Sequence, residues 1–162
     1  MNQQVLVREA DLENERDALA IVEVLDSYAT DPRGGGVPLP DDVRARLVPA
    51  LRGHPTTLVL LAFSGETPVG IAIGFFGITT FQALPLLNIH DLAVLPGSRG
   101  RGVGRALLTA IETRARERGC CKLTLEVQDD NKPARTLYDR FGFRDVVYGD
   151  SGPTRFLSKK LT

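Results

Sequence analysis

Cysteine is scarce in this sequence: of 162 residues only two are cysteine, and they are neighbours, Cys120 and Cys121. That excludes a disulfide framework, and a bridge between adjacent thiols does not suit a reducing compartment. A metal site would need more ligands than this pair supplies, so no metal is expected. Both cysteines are read as packing residues at the start of a strand. Excess charge is lacking as well, with 20 Lys and Arg balancing 20 Asp and Glu. Zero net charge argues against a nucleic-acid partner. No apolar run approaches the roughly 18 residues of a membrane span, which argues against a membrane partner. The N-terminal MNQQVLVREADLENERD lacks the basic and then apolar pattern of a secretory signal. The expectation is a cytoplasmic protein. No repeat, low-complexity tract or domain boundary is visible. With 43% hydrophobic and 25% charged residues, ordinary values for a globular protein, residues 1–162 are read as a single domain.

What the sequence does have is concentrated in residues 87–108, LNIHDLAVLPGSRGRGVGRALL. Leu87 to Val94 is a short apolar run suited to a buried strand. Pro96-Gly97-Ser98 breaks it. Arg99, Gly100, Arg101, Gly102, Val103, Gly104 and Arg105 follow, and then Leu107, Leu108 and Ile111 lie at the spacing of one helical face. A strand, a Gly/Arg loop and a helix in that order can hold an anion. Glycine lets the backbone approach closely, and the helix N-terminus offers unpaired N–H groups and partial positive charge. The three arginines make a diphosphate the natural guest. A nucleotide loop of the form G-x-x-x-x-G-K-S/T is excluded, because no Lys-Ser or Lys-Thr follows these glycines. The dinucleotide fingerprint G-x-G-x-x-G, started at Gly102, ends on Leu107 and fails too.

Elsewhere the patterning predicts a strand around Val5–Val7 and a helix capped by Asp11 that ends at Asp31-Pro32. A second short helix capped by Asp41 or Asp42 follows, then a hairpin of strands over 56–63 and 69–78. Beyond the helix that closes near Arg118-Gly119, a strand is expected over 121–127. Ala134, Leu137, Tyr138 and Phe141 mark a helix with Pro133 in its first turn and Gly142 at its end. Two last strands are read over 143–148 and 155–161.

R-x-x-G-x-G at Arg99, Gly102 and Gly104, with L-A-V and a proline before it, resembles the acetyl-coenzyme A loop of the GNAT N-acetyltransferase superfamily. LEVQDDNKPARTLYDRFGF resembles the family's second signature. The likeness is carried by residues 87–143, about a third of the chain. It implies the α/β (α+β) GNAT fold, a mixed, mostly antiparallel sheet of about seven strands with helices on both faces. It also implies acetyl-coenzyme A as cosubstrate and an amine as acceptor. In the family, the strand matching Leu92, Ala93 and Val94 pairs with the pantetheine arm, and a main-chain N–H there polarises the thioester carbonyl. Arg101 and Arg105 would flank the pyrophosphate, within a coenzyme-binding set running from Arg99 to Arg105. Asn131 would contact the pantetheine, Tyr138 would protonate the departing thiolate, and Lys132 and Arg135 are options for the ribose phosphate.

Transfer to an amine also calls for a base, because an alkylamine with a pKa near ~10.4 is protonated at neutral pH. Two positions compete. Glu126 stands at the offset from Asn131 where ribosomal-protein N-terminal acetyltransferases carry a catalytic Glu. His90 takes the place of a functional Glu in polyamine acetyltransferases, and histidine titrates near neutrality. Asp91 ranks third. The reading is an N-acetyltransferase acting by direct attack of a small-molecule primary amine. Its alternatives are a protein or peptide N-terminal acetyltransferase and a non-catalytic acyl-coenzyme A sensor. Acceptor selection is expected from 31–40, where Asp31 is joined by Asp41 and Asp42 beyond, and from 79–87, with Phe81, Leu84 and Pro85. A homodimer interface is the remaining route.

Overall fold

A computed structural model describes residues 4–161. The chain divides into two compact units, one up to Leu125 and the other from Glu126. The first holds a five-stranded sheet in the order β1-β2-β3-β4-β5, with β1 at Val5–Glu9, β2 at Thr57–Ser64, β3 at Thr67–Thr79, β4 at Leu84–Val94 and β5 at Leu123–Leu125. All neighbours are antiparallel except β4 and β5, which run parallel. Helices α1 (Glu15–Thr30) and α2 (Asp41–Gly53) lie before β2, and α3 (Val103–Glu117) lies between β4 and β5.

Strand alternation divides the core between two faces. Val59, Leu61, Ile71, Ile73 and Ala93 pack with Ile21, Val24 and Leu25 of α1 and Val48 and Leu51 of α2. On the other face lies α3, whose approach depends on Gly70. A Cβ there would stand 3.0 Å from Val103 Cγ1 and 3.2 Å from Leu107 Cδ1. Helices therefore cover both faces of the sheet, as the family resemblance implies. Among the described residues, no helix is long and apolar enough to cross a membrane.

Several local readings are corrected. The cap of α1 is Asn14, whose Oδ1 accepts from the N–H groups of Arg16 at 2.9 Å and Asp17 at 3.3 Å. Asp11 closes a preceding turn instead, accepting from Glu13 N–H at 3.0 Å. At α2, Pro40 holds the cap position, and Asp41 and Asp42 lie in the first turn, where the helix dipole favours acids. Cys121 is exposed and Cys120 half-buried, both ahead of a β5 only three residues long, so neither is a core residue. Segment 79–87 is largely ladder, not loop, since Thr79 pairs with Leu84 and Phe76 with Leu87.

The second unit holds α4 (Lys132–Phe141), with Gly142 closing it at φ 99°. The described sheet has five strands, not about seven, because 143–148 and 155–161 form none. Thr154 N–H bonds Val146 O at 2.9 Å and Ser151 N–H bonds Tyr148 O at 3.2 Å. One such cross-link does not make a ladder, and an isolated pair of strands is marginal in water.

An ion pair with a buried carboxylate and a partly exposed guanidinium ties α1 to the sheet edge. Asp17 is 2% exposed and receives both ends of the Arg8 guanidinium at 2.7 Å, together with Asp11 N–H at 2.8 Å. The Arg8 hydrogen bonds hold the Asp17 carboxyl below its ordinary range against the opposing effect of burial. Asp17→Ala should cost about 2–3 kcal/mol, the range for lost hydrogen bonds to charged groups. In a chain of this size that lowers Tm by roughly 5–10 °C. The carboxyl is depressed in the folded state, so its contribution is present above the unfolded pKa near ~3.9 and fades as pH falls through the lower native value. Thermal melts of both proteins at pH 7 and pH 3 check this: the gap should narrow in acid.

Candidate active site

The centre of the first unit is an irregularity in β4. Ile73 of β3 pairs with Asp91 and Gly74 pairs with Ile89, so His90 is an extra residue with no partner on β3. Such a bulge bends the strand and re-aims its side chains. Gly74 makes room for it, since a Cβ there would meet Leu87 Cδ1 at 2.9 Å and Asn88 O at 3.0 Å. One inserted residue leaves Ile89 and Asp91 on opposite faces, with Asp91 beside Ile73 on the α1/α2 side.

Past the bulge, β4 loses a neighbour. β5 pairs only with Leu87, Asn88 and Ile89, and among the described residues no strand continues along Asp91–Val94 on that side. Leu95 N–H bonds Val69 O of β3 at 2.9 Å. In an antiparallel ladder alternate residues turn their main-chain groups to the same neighbour. Leu92 and Val94 therefore turn theirs to the open edge. Val94 O accepts Arg99 Nε there at 3.0 Å.

The chain then passes through one 3₁₀ turn, Pro96–Ser98, into the glycine loop and α3. Gly100 and Gly102 have φ of 74° and 84°, and no atom lies within 4 Å of a Cβ built on either. Gly102 caps α3 without a side-chain bond, and the first turn of the helix holds no acid. Its first intrahelical bond runs from Ala106 N–H to Gly102 O at 2.9 Å, which leaves the N–H groups of Val103, Gly104 and Arg105 unmatched inside the helix. Arg101 and Arg105 are exposed. Donors, dipole and cations converge on open space. Arg99 differs: its Nη2 lies 2.9 Å from Asp31 Oδ2.

The α1/α2 face near the bulge carries a second group. Burial pushes the Asp91 carboxyl up, with His90 opposing. Tyr28, in the last turn of α1, has its phenol raised by burial and then by the charges of Asp91 and Asp31. The His90 ring stands edge-on to Phe75 of β3 at 5.5 Å, and Phe75 meets His54, at the end of α2, at 4.8 Å. Asp31 and Asp42 are engaged elsewhere, Asp42 with Arg46 at 2.6 Å. The expected acidic attraction at those two positions is already neutralised. Segment 31–40 is tied to α1: Gly34 N–H bonds Asp31 O at 2.8 Å, Gly36 N–H bonds Ala29 O at 3.0 Å, and Leu39 N–H bonds Asp26 Oδ1 at 2.8 Å.

Glu126, Asn131 and Tyr138 belong to the second unit. Glu126 is exposed just beyond β5. Asn131 caps α4, its Oδ1 accepting from Ala134 N–H at 3.3 Å. Tyr138 is half-buried on the predicted helix face, its ring edge-on to Phe143 at 5.7 Å. Arg135 pairs with Asp129 at 3.2 Å, and Lys132 is exposed.

A strand bulged and open at its end, running into a glycine-capped helix, agrees with the comparison to known proteins. The family model described as Acetyltransferase (GNAT) family matches residues 21–143. The chain belongs to the GNAT acetyltransferase family. Over 74 residues it is 42% identical to streptothricin acetyltransferase of Streptomyces lavendulae, a match covering 46% of this chain and 39% of that protein. An uncharacterized N-acetyltransferase of Bacillus subtilis (strain 168) is 29% identical over 142 residues, 80% of this chain and 85% of its own. Among solved structures, ribosomal-protein-alanine N-acetyltransferase from Brucella melitensis biovar Abortus 2308 superposes with a TM-score of 0.73 at 23% identity. That match covers 94% of this chain and all of the other, and shows a shared GNAT fold.

Tyr28, His54 and Phe75 were not among the residues singled out from sequence. Tyr28 had a signal, because it continues the buried stripe Ile21, Leu25 by seven and three positions. His54 and Phe75 had none, because only the tertiary fold sets Phe75 between the rings of His54 and His90.

Proposed function

We propose that the protein is an acetyl-coenzyme A-dependent N-acetyltransferase whose acceptor is a primary amine of a small molecule. The observation that carries this reading is the continuity of an unpaired β4 edge with an anion cradle at the start of α3. The edge suits an amide-bearing arm and the cradle a diphosphate. These residues fit coenzyme A: the main chain of Leu92 and the N–H of Val94 for the arm, and the N–H groups of Val103, Gly104 and Arg105 with the Arg101 and Arg105 side chains for the phosphates. When bound, acetyl-coenzyme A supplies an activated acetyl thioester. Open space at Gly100 and Gly102 leaves the approach clear.

The chain's own groups then have defined work. A main-chain N–H on the open edge stabilises negative charge developing on the carbonyl oxygen. Asp91 receives the amine proton. Its half-buried position raises its pKa toward the operating range, as a general base requires. Asp91 is therefore proposed ahead of His90 and Glu126, both exposed. Tyr138 is proposed as the acid on the strength of the family motif. A small-molecule acceptor is favoured by the segment shared with a protein named for streptothricin.

The direct experiment is a screen of primary amines with acetyl-coenzyme A, reading release of the free thiol, alongside calorimetric titration of coenzyme A. Turnover with at least one amine is expected. Tyr138→Phe should keep coenzyme affinity and lower kcat by about 10- to 1,000-fold. Failure to bind coenzyme A would sink the reading, and an unchanged kcat with chemistry rate-limiting would return Tyr138 to a packing role.

A further inference from the structure

The first arginine of R-x-x-G-x-G is held differently from the two that follow it. Arg99 Nε donates to Val94 O at 3.0 Å, and Nη2 donates to Asp31 Oδ2 at 2.9 Å. Its N–H also bonds Pro96 O at 3.4 Å, closing the 3₁₀ turn. One guanidinium thus bridges the last residue of β4 and the residue that ends α1.

The far end of that bridge is anchored. Asp31 N–H reaches Ser27 O at 3.2 Å and Tyr28 O at 3.1 Å, and Asp31 Oδ1 accepts from Arg33 N–H at 3.0 Å. Asp31 O receives Gly34 N–H at 2.8 Å and Gly36 N–H at 3.1 Å. Gly34 sits so tightly on the helix that a Cβ would lie 1.9 Å from Tyr28 O. The backbone of this turn has little room to shift. Asp31 is also mostly covered, its side chain 16% exposed.

We propose that Arg99 is a positioning residue and not a phosphate ligand. With Asp31 it forms a strut from the C-terminal end of α1 to the junction of β4 and the glycine loop. The strut fixes where the loop presents its N–H groups to coenzyme A, and the direct phosphate contacts fall to Arg101 and Arg105. This rests on the coenzyme reading of the loop. The planar fork matters, because it meets a carbonyl and a carboxylate at once, and the point charge of a lysine ammonium does not reproduce that geometry. The carboxylate also offsets the charge a phosphate would seek.

The two roles predict opposite signs at Asp31. If Arg99 were a phosphate ligand, Asp31 would compete with the coenzyme, and Asp31→Asn would leave binding unchanged or tighten it. As one half of a strut, Asp31→Asn should weaken binding. The variant is mild, since Asn retains the Oδ1 that holds Arg33 N–H. Calorimetric titration of coenzyme A into the full chain and into Asp31→Asn, Arg99→Gln, Arg99→Lys and the double variant Asp31→Asn/Arg99→Gln tests this. Each single variant should weaken binding about 5- to 20-fold, and the double should weaken it no more than either parent, the mark of residues acting as a unit. In turnover, KM for acetyl-coenzyme A should rise while kcat and acceptor KM hold. Tighter or unchanged binding by Asp31→Asn would overturn the strut, as would full affinity in Arg99→Lys. Absence of coenzyme A binding by the unaltered protein would instead remove the coenzyme reading, and the proposal with it.

Discussion

Asp91→Asn should lower kcat/KM for the amine by about 100- to 10,000-fold, the usual contribution of a positioned acid–base group, while raising thermal stability at neutral pH. The two effects have one origin. The bulge at His90 turns Asp91 toward α1, on the face that carries Ile73 and the Tyr28 phenol. Burial there disfavours the charged carboxylate and pushes its pKa up. A carboxyl raised in the folded state stabilises the fold below its unfolded pKa, and that contribution is lost as pH rises through the native value. At pH 7 the ionised group is a cost, and the isosteric amide removes it. Activity falling as Tm rises is the trade expected of a catalytic group held in an unfavourable setting. Melting curves from pH 4 to 8 should show the variant's advantage growing with pH. Parallel pH profiles of His90→Gln and Glu126→Gln complete the test. If Asp91→Asn keeps its rate and Glu126→Gln loses the acid limb, the base belongs to the second unit and the Asp91 assignment falls.

The elements most legible in the sequence were those built from local rules. The hairpin of β2 and β3, the end of α1 at Asp31 and the Gly142 cap of α4 follow from backbone preferences within a few residues, and the structure has each. The glycine loop was legible for the same reason, because a left-handed turn leading into a helix is built from neighbours in sequence. Long-range pairing was less so. A bulge is invisible in NIHDL read alone, since it exists only relative to Ile73 and Gly74 on the facing strand. His90 was placed above Asp91 on the family resemblance, and the burial of Asp91 had no part in that order. The tight seat of Gly34 on the Tyr28 carbonyl was not legible either, because it depends on how 31–40 folds back on α1. Conversely, 143–148 and 155–161 have strand-like composition, yet composition supplies no ladder partner.

Gly102→Val should abolish most coenzyme A affinity, by about 100-fold or more, while leaving the protein folded. At φ 84° this residue is in the left-handed region, where a β-branched side chain is strained by roughly 1–3 kcal/mol. The strain alone lowers Tm by a few degrees in a chain of this size. Among the described residues, chain neighbours aside, no atom lies within 4 Å of the Cβ position, so the new side chain meets no described part of the fold. On the proposed coenzyme reading, that side chain intrudes on the space phosphate oxygens take beside the unmatched N–H groups of Val103, Gly104 and Arg105. A loss of about 2.8 kcal/mol in binding corresponds to 100-fold, at 1.4 kcal/mol per tenfold. Gly119→Val separates strain from obstruction. Gly119 follows the C-terminal end of the same helix at φ 69°, and its Cβ position is equally open. It should lose comparable stability and keep coenzyme affinity, because no anion site is built at that end of α3. Equal loss of affinity in both variants would mean that backbone strain weakens binding from a distance. Undiminished affinity in Gly102→Val would place the anion cradle elsewhere in the chain.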